Sequence, residues 1–194
     1  MNPYQKLISR KRKWTPVAVT GGPVAEGTED TISRCLALRC LEIPVGDFIK
    51  EASAKEIPEH ARKILSMNIT DEENHDLALN YVAATFDVDA KTTEEAQSIA
   101  KAWISHPDHP IVKAMVLERS SCFTILPFFR AFGNDGMRTT SADISRDEQI
   151  HVATNSLVCA ELGLSPSPSL DKLRKATSQW LYQPLQGDEK LATK

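Results

Sequence analysis

The sequence predicts an all-α protein, a four-helix bundle with a short helix added at its C-terminal end. Two observations carry that reading. Asp71-Glu72-Glu73-Asn74-His75 and Asp147-Glu148-Gln149-Ile150-His151 both read Asp-Glu-x-x-His. Glu42 and Glu118 precede the two motif glutamates by the same interval of 30 residues (42 to 72, 118 to 148). On a helix, positions i and i+3 share a face, so each Glu-x-x-His presents a carboxylate and an imidazole in one direction. Two such pairs and two single glutamates, on four facing helices, form the ligand set of a carboxylate-bridged di-metal centre. With five histidines in 194 residues, composition alone accounts for about 0.4 such pairs. The repeat is therefore read as a site rather than as two solvated helix faces.

Taken in order, residues 1–27 are expected to be an irregular arm. Gly21, Gly22, Pro16 and Pro23 break any long element, and the run Arg10-Lys11-Arg12-Lys13-Trp14 leaves three roles open: covering the bundle, gripping a partner, or simply a solvated, disordered end. The bundle itself is expected over residues 28–164. Thr28-Glu29-Asp30 has the form of an N-cap followed by first-turn acids. Leu38, Glu42, Val45, Ile49 and Ala52 then follow at helical spacing, which sets Glu42 in an apolar stripe. Pro44 lacks an N–H and should kink or restart that helix, so Asp47 and Glu51 stand as substitutes for Glu42.

Pro58 starts the second bundle helix, with Asn68-Ile69-Thr70 as a short interruption before Asp71. Residues 87–95 read as a polar connection in which Thr92 or Thr93 caps a helix running toward Trp103. His106 and His109, each followed by proline, read as a surface loop rather than a metal site. Residues 111–132 are the most apolar stretch, and Glu118 is their only acid. A buried carboxylate needs a strong partner, either a metal or a salt bridge to Arg119 or Arg130, and Arg119 points about 100° away on a helix. Gly133 to Gly136 end that helix. Thr140 or Ser141 is expected to cap the last bundle helix, and Gly163 to close it. Residues 165–194 read as a linker, a short amphipathic helix over Leu170–Tyr182, and a polar tail after Pro184.

Composition restricts the function classes. The chain is 41% apolar and 25% charged, ordinary for one soluble globular domain. A formal net charge of −3 argues against nucleic acid as a partner. No stretch approaches a membrane span, and the N-terminus lacks the apolar core of a signal peptide, so a cytoplasmic protein is expected. Cys35, Cys40, Cys122 and Cys159 show no CxxC spacing and read as reduced, buried thiols.

As chemistry, a set of carboxylates and imidazoles suits iron or manganese better than zinc or calcium. Connectivity assigns Glu42 and His75 to one metal and Glu118 and His151 to the other, with Glu72 and Glu148 bridging. Four carboxylates balance two divalent ions, so a neutral reduced centre is reasonable in an apolar bundle. Asp71 and Asp147 precede the motif glutamates and point sideways, where each can accept from the outer nitrogen of a ligating histidine on a neighbouring helix. The same residues also suit a helix-start acid, a reading as strong as the first for Asp71 and the weaker of the two for Asp147. Cys122, Phe123, Leu126, Phe128 and Phe129 could wall a substrate pocket, although such a stripe is more often core.

The pattern resembles the ferritin-like di-iron carboxylate superfamily. Glu118-Arg119 with its Phe-rich helix, Gly136-Met137, and Ile144-Ser145-Arg146-Asp147-Glu148-Gln149-Ile150-His151 look most like the small, radical-generating subunit of class I ribonucleotide reductase. The resemblance covers residues 111–162 well and residues 60–85 through the ligand motif. It implies a ferritin-like bundle, two iron ions or a manganese–iron pair, O₂ as co-substrate, an electron donor and a homodimer. It also implies that Asp147 joins a hydrogen-bonded path from metal to surface. Where those subunits carry the radical tyrosine, this chain has Leu79, with Tyr81 on another face, and it lacks their length and tyrosine-bearing tail. The expected activity is therefore O₂-dependent oxidation of a small organic substrate. The alternative is a reductase small subunit with an atypical radical site and a large catalytic partner; iron storage is the third reading.

Overall fold

Helices form wherever apolar side chains recur at three- and four-residue spacing, and no strand occurs among the described residues. The computed structural model describes residues 2–55 and 57–183. The polar tail expected after Pro184 lies outside them. The helices are α1 (Pro3–Ile8), α2 (Glu29–Ala37), α3 (Glu42–Ser53), α4 (Glu59–Ala83), α5 (Ala90–Ser105), α6 (Pro110–Leu117), α7 (Phe123–Phe132), α8 (Asp135–Glu161) and α9 (Pro168–Leu181). A 3₁₀ turn, Leu38–Leu41, links α2 to α3, and a π-helical segment, Glu118–Cys122, joins α6 to α7.

Four helical stretches enclose the centre of the molecule. α3 packs on α4 and α6, α4 packs on α8, and α8 packs on α6 and α7. Their shared interior holds Val45, Ile49, Ile64, Leu65, Leu117, Phe129, Ile144 and Val158, all nearly or wholly buried. α9 is more than an appendage. It lies against α2, α5 and α6, and Trp103 of α5 donates to Thr177 Oγ1 of α9 at 3.0 Å. No helix of the described chain is long and apolar enough to cross a membrane.

Several local expectations are corrected. Residues 1–27 are not irregular throughout: Asn2 caps α1, and Tyr4 and Leu7 bury themselves against the bundle. Thr28 stands at the cap position of α2, but its hydroxyl donates back to the Ala25 carbonyl at 2.6 Å. α4 runs through Asn68-Ile69-Thr70 without a break, because burial of the apolar residues on either side, Ile64, Leu65, Leu79 and Val82, overrides weak local propensity. Asp89, not Thr92 or Thr93, caps α5, accepting from the Thr92 backbone N–H at 2.9 Å. α8 begins at Asp135 under an Asn134 cap, so Thr140 and Ser141 lie inside it. Asn134 accepts there, and Gly136 in the first turn leaves room for the arm, since a Cβ would stand 2.8 Å from Val19 Cγ2. As expected, Gly163 closes α8: at φ 65° it lets Leu164 N–H reach the Cys159 carbonyl at 2.9 Å.

Candidate metal centre

Pro44 decides where Glu42 points. A proline in a first helical turn loses nothing, because the first four N–H groups have no intrahelical acceptor. The chain therefore restarts as α3 at Glu42 after the 3₁₀ turn, with Pro44 two residues in. Glu42 turns inward, its side chain 13% exposed and its Oε2 3.7 Å from His75 Nδ1. Asp47 and Glu51 are exposed, and Glu51 pairs with Lys55 at 2.9 Å. Neither substitutes for Glu42.

α4 and α8 bring the two motifs face to face. Glu72, His75, Glu148 and His151 are all buried, and one ligand atom from each lies within 4.8 Å of the others. His75 Nδ1 is 3.3 Å from Glu148 Oε1 and 3.5 Å from Glu72 Oε2. His151 Nδ1 is 2.8 Å from Glu72 Oε1 and 3.8 Å from Glu148 Oε1. Glu72 and Glu148 thus stand between the two imidazoles. Glu118 Oε1 lies 3.7 Å from His151 Nδ1, as Glu42 lies beside His75. The other Glu118 oxygen accepts from Asn155 Nδ2 at 2.7 Å, and neither Arg119 nor Arg130 pairs with it.

Glu118 sits at the start of the π segment, where one extra residue per turn shifts the side chains that follow. Sequence spacing does not show this, since a π turn has no simple residue signature.

The two histidines direct their outer nitrogens across the helix pair. His151 Nε2 on α8 is 3.0 Å from Asp71 Oδ2 on α4, and His75 Nε2 on α4 is 3.5 Å from Asp147 Oδ2 on α8. Asp147 stands where the stronger of its two readings put it, and for Asp71, where the two readings were equal, the structure shows the contact with the histidine. The arm then closes over them, which the sequence reading left open. Lys11 pairs with Asp71, and Trp14 Nε1 donates to Asp147 Oδ2 at 2.6 Å. Arg12 Nε lies 3.7 Å from Asp147 Oδ1, and Arg12 also pairs with Asp143 at 2.9 Å. The Trp14 ring lies 6.3 Å from the His75 ring with 26° between planes. The only sequence signal for these contacts was a basic run with a tryptophan opposite an acidic motif.

Electrostatics fit a site that waits for cations. Burial opposes charge on His151, yet the Glu72 and Asp71 carboxylates outweigh it and push the imidazole up to about 10. His75 is raised as well, against burial, by Asp147 and Glu148. Burial lifts Glu42 to about 8, and burial with the neighbouring Glu148 lifts Glu118 well above the carboxylate range. Glu72 goes the other way: despite burial, His151 and His75 hold it low.

Whether a metal fits can be tested on the atoms that lack partners. Glu72 Oε1, His75 Nδ1, Glu118 Oε1, both Glu148 oxygens and His151 Nδ1 are buried without an aligned hydrogen bond. Buried polar atoms are nearly always satisfied, and these six belong to the Glu72–His75–Glu148–His151 group and to Glu118 beside it. Their nitrogen and oxygen donors could hold a metal ion. The residues fit the group.

Comparison with protein-family models, with curated proteins and with solved structures gives no match for this chain. The reading of the site rests on its own residues.

Two small voids border the centre. One of about 20 Å³ is lined by Glu42, Glu72, Glu118, Cys122 and apolar neighbours. Another of about 50 Å³ is lined by Cys122, Phe123, Leu126, Arg130 and Glu148. Phe128 and Phe129 line neither; they belong to the core.

Proposed function

We propose that this protein is a ferritin-like, non-haem di-metal oxidoreductase that activates O₂. Glu42 and His75 would hold one ion and Glu118 and His151 the other, with Glu72 and Glu148 shared between them. The observation that carries the reading is the gathering of Glu72, His75, Glu148 and His151 in the interior, one ligand atom of each within 4.8 Å of the others, with the outer nitrogens of both histidines already facing carboxylates. Bound there, two iron ions, or manganese with iron, supply electrons to O₂ in steps. The chain's own residues fix the geometry: Asp71 and Asp147 hold the histidine tautomers, and the apolar walls around Leu117 and Val45 limit water. Four carboxylates against two divalent ions leave no net charge in the interior.

An organic substrate beside the metals is the first expectation for the outlet of the oxidising equivalents. The second, a reductase small subunit acting on a large partner, has a specific observation in its favour. The two voids at the centre, about 20 and about 50 Å³, fall far below the roughly 300–1,000 Å³ of small-molecule sites. The hydrogen-bonded chain His75–Asp147–Trp14 meanwhile leads from the centre to a partly exposed indole. We favour electron exchange with a partner molecule through that chain, in a homodimer with an external electron donor.

Anaerobic loading with Fe(II), alone and with Mn(II), followed by metal analysis and O₂ uptake tests the proposal. Two ions per chain and O₂ consumption faster than that of free Fe(II) are expected. A chain that retains no metal, or consumes O₂ no faster than the free ion, rules the function out.

A further inference from the structure

Outside the centre, a cavity of about 450 Å³ lies between the π segment and α9. Its volume falls in the range of small-molecule sites, roughly 300–1,000 Å³. One wall is apolar, made by Met115, Val116, Phe123 and Pro166. The polar part holds two guanidinium groups, Arg119 from the π segment and Arg174 from α9.

Charge identifies the ligand class. Among the described residues Arg119 has no ion-pair or hydrogen-bond partner, although it follows Glu118 and faces outward into the cavity. The one acid in the lining, Asp171, is already neutralised: Arg174 holds it at 2.6 Å and Lys175 at 2.8 Å. Arg174 spends Nε and Nη2 on that pair, which leaves Nη1 for a ligand. Ser120, Thr124 and Ser178 donate their hydroxyl protons to backbone carbonyls at 2.5, 2.7 and 3.1 Å, so toward the cavity they offer only lone pairs. The donors that remain are the two arginines, which suit a planar or tetrahedral oxyanion. Phe123, 45% exposed, would lose its contact with water against an apolar body.

We propose that this cavity binds a small organic oxyanion, its carboxylate or phosphate between Arg119 and Arg174 and its apolar body on Phe123 and Met115. Phe123 also lines the void of about 50 Å³ that touches Glu148, so the bound molecule sits one side chain from the candidate metal centre. The binding site stands on its own residues, independent of whether the centre takes a metal.

Calorimetric titration of the full chain with octanoate and with phenyl phosphate, using inorganic phosphate as reference, tests the site. Saturable binding of octanoate or phenyl phosphate is expected, and which of the two binds tighter identifies the head group. Arg119→Gln and Arg174→Gln should each weaken the tighter probe about tenfold or more, as loss of a charge-assisted hydrogen bond does. Arg119 is exposed, so an unchanged Tm and helical circular dichroism should show that its variant folds. No saturable heat with either probe, equal affinity in the arginine variants, or inorganic phosphate matching phenyl phosphate would overturn the proposal.

Discussion

His151 Nε2 lies 3.0 Å from Asp71 Oδ2, so a residue of α4 orients a histidine of α8. The relation is reciprocated, less tightly, by His75 and Asp147 at 3.5 Å. Each motif thus supplies the inward face of its own helix and the outer support of the other.

That cross-support predicts the effect of Asp71→Asn and Asp147→Asn. Each should lower metal affinity about 10–100-fold, because an amide fixes the tautomer poorly and makes the imidazole less basic. Competition with a chelator of known affinity measures it. Parent-like affinity in both variants would show that the aspartates serve the fold alone.

Removing an inward group should act more strongly. Glu118→Ala and His151→Ala are each expected to abolish binding of at least one ion while the helices stay formed. Elemental analysis beside far-ultraviolet circular dichroism checks both halves. Full metal content in both variants would refute the ligand assignment.

Proton linkage gives opposite pH trends with and without metal. In the fold His151 is raised from 6.5 to about 10 and Glu42 from 4.5 to about 8. For both groups the folded chain binds more protons than the unfolded chain between those values. Their contribution is greatest below the unfolded value and is lost as pH rises through the folded one. Glu72 and Asp147 are lowered, so their contribution is complete above the ordinary carboxylate range and stays constant here. Metal-free Tm should therefore fall between about pH 6.5 and about pH 9, while the Tm gain from metal grows as ligand protons leave. Thermal melts across that range, with and without Mn(II), measure both slopes; a metal gain that shrinks with pH would contradict the ligand roles.

Trp14→Phe keeps the ring over His75 but removes the 2.6 Å donation to Asp147. A hydrogen bond to a charged acceptor contributes about 1.5–3 kcal/mol, so a loss of stability near the lower end is expected at this partly exposed site. Metal content should remain, and reduction of the oxidised centre by an external donor should slow. Unchanged reduction kinetics would exclude the indole from the electron route.

Leu79 is 3% exposed and lies one turn beyond His75. Leu79→Tyr should give a tyrosyl radical signal by electron paramagnetic resonance after O₂ exposure, at a packing cost of about 1–3 kcal/mol. Metal-loaded variant with no such signal would show that the position is not within reach of the oxidised centre.

The sequence by itself determined the relations that live within one helix. Glu72 with His75, and Glu148 with His151, share a face because 3.6 residues make a turn, whatever surrounds them. The same periodicity gave α3, α4 and α8 approximately, and in the sequence Pro44 marked a kink or restart but left open where Glu42 points. Relations between helices had no such rule. The crossing of Asp71 and Asp147, the rejection of Asp47 and Glu51, and the docking of Lys11, Arg12 and Trp14 were set by packing. Tyr4 and Leu7 bury α1 against the bundle and Gly136 opens space for the strand of chain that follows, so a basic run without local periodicity lands on two buried carboxylates. Local spacing fixes direction on a helix; only the closing of apolar faces on one another decides what stands opposite.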